Sequence, residues 1–389
     1  MNSLARHQRI KVLQLQPDYN VKDHDFSDLA EQIVKCLPSE RFEVVSAFLK
    51  GKPKHGQPIS KADKSFYFEF NDGHLKGTRL RALWRLYKFC RDEKFDVVIC
   101  NRFKPVNMML TLNRWLKIPV CIGIAHGFGE YDRLYRRKQV KRMVNDSWRF
   151  VGVSPAVKDY LIGCRCGFTE LNTVAITNAI DTDQAEKLQL TREEARRQLG
   201  LPDHARIIGA LGRLVPVKGH VYLIKAFANI STLFPDAHLS IIGGGREEET
   251  LSKEAEKLGL SERIHLHGML PDALKYVKAF DIWAMPSLRE GLGLALLEGM
   301  SGKLPVIGSD IPAMAPLISG AGGIAVPPAD VESLSKALEE YLNFTDEQLR
   351  AKGEKAYKYL CTEHSITIFR EQYLRLIESA LIKAGKLDE

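Results

Sequence analysis

Short runs of β-branched and apolar residues alternate with stretches of helical spacing along almost the whole chain. In the first half the runs Ile10–Leu15, Val44–Leu49, Phe66–Phe70, Val97–Cys100, Val120–Ala125, Phe150–Val153 and Val174–Thr177 read as strands. Between the first two, Leu29, Ala30, Ile33, Val34 and Leu37 have the spacing of one buried helical face, and Ser27 stands where it can cap that helix. Leu80, Leu83, Trp84 and Tyr87 repeat the spacing, which predicts a second helix with Trp84 and Tyr87 turned to the core. The rhythm restarts with strands at Ile207–Leu211, Leu239–Ile242, Ile264–His267, Ile282–Met285, Val306–Gly308 and Ile324–Val326. Strand-then-helix alternation predicts the α/β class, with parallel sheets covered by helices on both faces. Two such series predict two doubly wound, Rossmann-like domains, over 1–181 and 182–364. The polar stretch Asp181–Asp203 between them reads as a capped surface helix and a turn. The last helical stretch, 365–389, is expected to pack back on the first domain.

The length agrees with that division, since 389 residues exceed one ordinary core. A hydrophobic share of 45% with 27% charged residues is ordinary globular composition and excludes a disordered chain. A membrane span is not expected. The longest charge-free stretch, Ile311–Ala329, carries four prolines and three glycines, too dense for a helix in lipid. No apolar stretch near the N-terminus is long enough for a secretory signal. Seven scattered cysteines form no C-x-x-C pair, so buried reduced thiols in a cytoplasmic protein are expected rather than a zinc site.

The distribution of charge says more than its total of +8. Residues 1–180 hold 31 Lys and Arg against 18 Asp and Glu, a net of +13. The rest hold 25 against 30, a net of −5. Such segregation fits two domains of which the first meets an anionic partner.

Ligands of doubly wound sheets bind beyond the carboxyl ends of the strands, and the chain's distinctive motifs fall there. After Ile282–Met285 comes Arg289-Glu290-Gly291-Leu292-Gly293-Leu294-Ala295-Leu296-Leu297-Glu298. Gly291 and Gly293 permit close backbone approach at a helix start, where unbonded N–H groups favour an anion. Glu298 follows about two turns into that helix. After Ile207–Leu211 comes Gly212-Arg213-Leu214-Val215-Pro216-Val217-Lys218-Gly219-His220. A glycine turn with two cations five residues apart suits a diphosphate, Arg213 by a bidentate grip and Lys218 as a point charge.

The two motifs together resemble the retaining GT-B glycosyltransferases of family four, which take a sugar from a nucleoside diphosphate. The likeness is close over Ile207–Val326 and weaker over the first half. It implies that Arg213 and Lys218 hold the donor diphosphate, that Glu290 contacts the donor-sugar hydroxyls and that Glu298 binds the ribose. It implies also that Gly212 and the backbone of Gly291, Leu292, Gly293 and Leu294 line phosphate and sugar. The loop at Gly268 and Met269 is then where the nucleobase stacks. The likeness extends to His126, after Val120–Ala125, as a residue reaching the donor sugar. The resemblance thus makes His126, Glu290, Arg213 and Lys218 the expected catalytic set of a hexosyltransferase. Its acceptor would be a glycan or a lipid-linked, anionic molecule, in lipopolysaccharide or envelope-polysaccharide synthesis. Attack from the leaving-group face, with the phosphate oxygen taking the acceptor's proton, is the implied route to retention.

Two departures concern the acceptor and the hinge. Many members carry a double glycine after the first strand, whereas the loop Gln16–Phe26 has none. The hinge reads Asn178-Ala179, where a positive φ would suit only the asparagine. Asp181-Thr182-Asp183 and Asp23-His24-Asp25 have the D-x-D form of metal-dependent sugar transferases of another fold. With two cations for the diphosphate, neither a metal nor a cofactor is expected, the nucleotide sugar being a co-substrate. Gly243-Gly244-Gly245 follows a strand but lacks the spacing of a dinucleotide fingerprint. A nucleotide-sugar epimerase and a non-catalytic nucleotide-sugar-binding protein of the same fold are the alternatives. The first would need acid–base residues that no motif supplies, and the second would keep Arg213 and Lys218 without Glu290.

The basic half holds six cations within Arg133–Arg142, and Arg79, Arg81, Arg85, Lys88 and Arg91 form a second stretch. No aromatic-plus-basic recognition motif accompanies them, so no nucleic-acid partner is expected. An anionic membrane surface or a phosphorylated acceptor accounts for the excess better, and implies a peripheral enzyme on the inner face of the plasma membrane.

Overall fold

A computed structural model describes residues 9–22, 24 and 28–388. The chain forms two compact units. The first comprises the residues up to Asn178 together with Thr367–Glu389, and the second Ala179–Ile366.

The first unit is built on seven parallel strands, β1 (Ile10–Asp18), β2 (Phe42–Lys50), β3 (Lys64–Tyr67), β4 (Val97–Asn101), β5 (Val120–Ala125), β6 (Trp148–Gly152) and β7 (Thr173–Ala175). Their order is β3-β2-β1-β4-β5-β6-β7. The central strands β4 and β5 are buried along their whole length, as a parallel sheet covered on both faces requires. All seven expected strands are present. The third is displaced from Phe66–Phe70 because Glu69 takes a left-handed backbone with φ of 52°, which ends regular pairing. Phe68 and Phe70 still donate N–H bonds to Phe48 and Leu49, and their rings stack 5.1 Å apart in the core.

Two helical expectations need correction. Helix Leu29–Lys35 is capped by the Asp28 carboxylate, which accepts the Glu31 N–H, whereas Ser27 lies outside the described residues. Helix Leu80–Glu93 forms as expected but buries Ala82, Leu86 and Cys90. Leu80 and Trp84 are 72% and 62% exposed and Leu83 and Tyr87 only half-buried, so the expected stripe is not the one that faces the core. The terminal helix Ile366–Lys383 places Phe369, Tyr373, Ile377 and Leu381 in the core at four-residue spacing. Within the first unit its Arg370 donates to Gln32 Oε1 at 2.9 Å, and its Glu378 pairs with Arg41 at 2.7 Å.

The second unit carries β8 (Arg206–Leu211), β9 (Ala237–Ile242), β10 (Ile264–Leu266), β11 (Ile282–Met285), β12 (Val306–Ser309) and β13 (Ile324–Val326). They too are parallel, in the order β10-β9-β8-β11-β12-β13. The order reverses between β8 and β11, and that switch point is where a ligand crevice opens in such sheets. The polar stretch that precedes β8 yields two helices, Thr182–Leu188 and Arg192–Leu199, the second with a Thr191–Glu194 capping box. It is less superficial than its composition suggests, because Arg196 is 1% exposed. The Arg196 guanidinium donates to the carbonyls of Ala279, Pro202, Asp203 and Ala205 and pairs with Asp281 at 2.8 Å. Asp281 also accepts the Ile207 N–H, so this ion pair fixes the entrance to β8. Asn178 is not among the residues with left-handed backbone, and Asp181 caps the helix Thr182–Leu188. Six of the seven cysteines are buried, Cys361 is half-buried, and all are free thiols.

Candidate functional site

Four loops at the carboxyl ends of β8 to β11 are tied into one assembly. The loop after β8 bonds to β9 and the loop following it through Gly212 N–H to Ile242 O at 3.0 Å and Leu214 N–H to Gly244 O at 3.0 Å. The loop after β9 bonds to that after β10 through Gly243 N–H to Gly268 O at 2.8 Å. The loop after β11 bonds to that after β8 through Leu288 N–H to Val217 O at 2.8 Å. Two glycines make this packing possible. A Cβ on Gly243 would stand 1.8 Å from Gly212 O, and one on Gly219 would stand 2.0 Å from Pro286 O. Gly219 also needs the left-handed backbone, with φ of 69°, to turn into helix His220–Ile230. The glycine run Gly243–Gly245 thus has the role of letting one loop lie on another.

The assembly brings the two expected motifs into contact. Lys218 Nζ and Glu290 Oε1 are 2.5 Å apart, with side chains 17% and 14% exposed. Arg213 is exposed beside Gly212 and Leu214. Gly293 is the N-cap of helix Leu294–Ser301 and offers no side chain there, so the first N–H groups have no side-chain cap. Leu292 is buried, while Gly291, Leu294 and Glu298 are half-buried. One turn beyond Glu298, Ser301 donates its hydroxyl to the Glu298 carbonyl. Gly268 lies against the loop after β9, and Met269 is 84% exposed beside Gly244. The expected donor residues therefore share one end of one sheet.

His220, at the start of its helix, was not singled out by the sequence. It is 4% exposed, neither ring nitrogen has a hydrogen-bond partner, and burial holds its imidazole down to about 4, with Lys218 adding to the effect. His267, at the end of β10, is likewise held down to about 4 by burial and neighbouring His265. Its Nε2 lies 2.9 Å from Ser240 Oγ.

His126 belongs to the first unit, in the loop after β5. Burial holds it neutral, down to about 3, with Arg102 adding to the effect, and its Nε2 is sealed from solvent without a partner. Four residues on, Glu130 folds back so that its Oε1 accepts the His126 backbone N–H at 3.1 Å. Burial raises the Glu130 carboxyl to about 7, against the pull of that N–H, of Arg102, of Arg136 and of the Phe103 backbone N–H. No periodic pattern marks Glu130, and the only sequence signal is its place in the same strand-end loop as His126. Two cations of the basic stretch Arg133–Arg142 also belong here. Arg136 donates to the Glu130 carbonyl at 2.6 Å and Arg137 to that of Tyr131 at 2.8 Å.

Comparison with known proteins bears on the family and the fold. The family described as "Glycosyltransferase Family 4" matches residues 29–184, and that described as "Glycosyl transferases group 1" matches residues 191–359. A GDP-mannose-dependent monoacylated alpha-(1-6)-phosphatidylinositol monomannoside mannosyltransferase of Corynebacterium glutamicum is 33% identical over 48% of this chain and 51% of its own length. A UDP-Gal:alpha-D-GlcNAc-diphosphoundecaprenol alpha-1,3-galactosyltransferase of Escherichia coli is 26% identical over 90% of this chain and 93% of its own. The crystal structure of a glycosyltransferase from Rickettsia africae superposes with a TM-score of 0.81 at 18% identity, covering 96% of this chain and 99% of that one. The chain belongs to family four of the GT-B glycosyltransferases. It spans about half the length of most of the curated relatives it matches, the mannosyltransferase among them.

Proposed function

We propose that this protein moves a hexose-type sugar from a nucleoside-diphosphate sugar to a glycan or lipid-linked acceptor, with retention at the anomeric carbon, in lipopolysaccharide or envelope-polysaccharide synthesis. The observation that carries the reading is the contact between Lys218 and Glu290. In the donor, the sugar hydroxyls and the leaving phosphate are neighbouring parts of one molecule. A cation suited to the phosphate and a carboxylate suited to the hydroxyls, held 2.5 Å apart, match that adjacency. When the bond to the anomeric carbon breaks, negative charge grows on the leaving phosphate oxygen. Arg213, Lys218 and the N–H groups at the start of helix Leu294–Ser301 are placed to stabilise it without reorganising. Glu290 then orients the sugar, Glu298 holds the ribose, and the loop at Gly268 and Met269 receives the base. His126, kept neutral by burial, contacts the sugar as a hydrogen-bonding group rather than a cation. The cations take over the charge neutralisation that a metal would otherwise supply.

The relatives named above act on a phosphatidylinositol mannoside and on a diphosphoundecaprenol glycolipid. Both acceptors join lipid to phosphate, and a net of +13 over residues 1–180 suits such a partner. The first unit also exposes Trp84 and Trp115, each with a cation near its ring, Lys88 at 5.8 Å and Arg114 at 5.9 Å. Between their helices, Tyr87, Arg91, Lys94, Trp115 and Lys117 line a cavity of ≈ 310 Å³. Exposed indoles ringed by cations suit the interface of an anionic leaflet. No described helix is long and apolar enough to cross a membrane. We therefore place the enzyme as a peripheral protein on the cytoplasmic face of the inner membrane.

A panel of UDP-, GDP-, ADP- and dTDP-sugars in thermal unfolding tests the donor reading, because a bound donor stabilises the fold by mass action. One nucleotide series should raise the midpoint in the presence of EDTA. A midpoint unmoved by every nucleotide would contradict the reading, and a shift that requires added magnesium or manganese would return the D-x-D pairs to consideration.

A further inference from the structure

The loops proposed to bind the donor lie at the carboxyl end of the second unit's sheet. A separate cavity of ≈ 320 Å³ opens at the opposite, amino end. Its walls include Arg206, the first residue of β8, Asp281 just before β11, and Leu304 just before the start of β12. Helices Arg192–Leu199 and Asp346–Glu363 add Arg192, Asp346 and Arg350. The second of these helices lies close against the turn that holds Lys303, another wall residue. A Cβ on its Gly353 would stand 1.8 Å from the Lys303 carbonyl oxygen.

The volume is that of a small-ligand site. The floor is apolar, with Phe280, Leu304 and Leu349 all buried. The rim holds four cations, Arg192, Arg206, Lys303 and Arg350, against the two carboxylates of Asp281 and Asp346. Asp281 is already bound by the buried Arg196 and by the Ile207 N–H, so Arg192 only shares it, at 2.8 Å. Asp346 pairs with Arg206 at 2.5 Å, but its side chain is 78% exposed, where water weakens the attraction. Arg350 has no ion-pair partner among the described residues. This local excess runs against the net of −5 over residues 181–389. Cations gathered on one cavity repel one another, and a bound anion relieves that cost. The donor explains none of this, because ligands of such sheets bind at the other end.

We propose that this cavity is a second anion site, which takes a phosphate monoester with a compact organic part. The rim has two cations more than carboxylates, and a phosphate monoester carries about −1.5 to −2 charges at pH 7. The guanidinium forks of Arg192, Arg206 and Arg350 suit paired phosphate oxygens. The organic part rests on Phe280, Leu304 and Leu349. The ester is either a soluble metabolite or the phosphate of a lipid headgroup, and the chemistry that recognises it is the same. The inference does not rest on the glycosyltransferase reading, since none of these residues belongs to the proposed donor site.

The test is calorimetry of inorganic phosphate, glycerol 3-phosphate and monomeric dihexanoyl phosphatidic acid on wild type, Arg350→Gln, Arg350→Glu and Arg213→Ala/Lys218→Ala. Thermal unfolding checks that each variant folds, and Arg350, exposed and unpaired, can be replaced without stranding a buried charge. In wild type at least one ester should bind saturably and more tightly than inorganic phosphate. Its affinity should fall about 10-fold in Arg350→Gln and further in Arg350→Glu, and stay within twofold in Arg213→Ala/Lys218→Ala. Nucleoside diphosphate should show the reverse pattern. Preference for glycerol 3-phosphate assigns the site to a soluble ester, and preference for the lipid assigns it to a headgroup. If nucleoside diphosphate does not bind wild type, the donor reading fails while the ester measurements still decide this proposal. Ester binding that is absent from wild type, no tighter than that of inorganic phosphate, indifferent to Arg350→Glu, or lost with Arg213 and Lys218 overturns it.

Discussion

Lys218 and Glu290 lie 72 positions apart in the chain and share a hydrogen bond. Neither motif alone discloses that contact, because a lysine in a glycine-bounded loop and a glutamate before a helix are each common on protein surfaces. Their residue types suit the roles proposed for them, a diphosphate cation by its loop and, by the family resemblance, a sugar-binding carboxylate. Their juxtaposition was not legible, since it depends on the strand order that places β11 beside β8. Glu130 and His220 were illegible for a simpler reason, as a buried polar side chain leaves no periodic trace. Burial does leave a thermodynamic one. His126, His220 and His267 all sit below the ordinary 6.5 when folded. The unfolded chain therefore binds more protons below that value, and the stability these groups contribute above pH 6.5 is lost as pH falls toward about 4. Glu130 has the opposite sign. With its folded value raised to about 7, its contribution is present below the usual carboxylate range and is lost as pH rises through 7. We expect urea unfolding to show wild type losing more stability than His220→Leu between pH 7.5 and pH 5.0. Equal losses would show that His220 does not take up a proton on unfolding.

At the scale of elements, strand positions were the most legible feature, since each of the thirteen strands among the described residues overlaps one of the expected apolar runs. Helix faces were less so. The stretch from Leu80 offers two apolar stripes, and the one that packs is Ala82, Leu86 and Cys90, whose smaller members allow a close approach to the core. Size favoured Trp84 in a pattern reading, but packing favoured the smaller side chains. The glycines after β9 were legible as glycines but not by purpose, because their constraint is a neighbouring backbone rather than a ligand. The loop assembly gives them one. Gly243→Ala would drive a Cβ into the Gly212 carbonyl and force the loop after β9 away from the one that carries Arg213 and Lys218. A loss of ~2–4 kcal/mol in stability, in the range of other forced backbone shifts, should accompany a loss of nucleotide affinity of at least 10-fold. Gly163→Ala, at a position with open space around it, should leave both unchanged. Denaturant unfolding and calorimetry on the two variants check this, and wild-type behaviour of Gly243→Ala would contradict the loop assembly.

For the whole molecule, the division into two α/β units and the segregation of charge were both apparent in composition and rhythm. The destination of the basic charge was not, because sequence cannot distinguish cations that hold loops, such as Arg136 and Arg137, from cations left to solvent. Lys88, Arg91 and Arg114 remain exposed or near the exposed indoles, and each cation near an anionic leaflet contributes ~1 kcal/mol, screened within ~8–10 Å at physiological salt. Co-sedimentation with phosphatidylglycerol vesicles should therefore exceed that with phosphatidylcholine vesicles, fall at high salt, and weaken in Trp84→Ala/Trp115→Ala. Equal partitioning to both lipids, or none to either, would contradict the peripheral placement. The central claim is that the loops after β8 and β11 bind the diphosphate of a nucleotide sugar. Its most direct measurement is calorimetry of the nucleoside diphosphate on wild type and on Arg213→Ala/Lys218→Ala. A charged hydrogen bond contributes ~1.5–3 kcal/mol, so the affinity should fall ~10–100-fold for each cation removed. An affinity unchanged in the folded double variant would contradict the account.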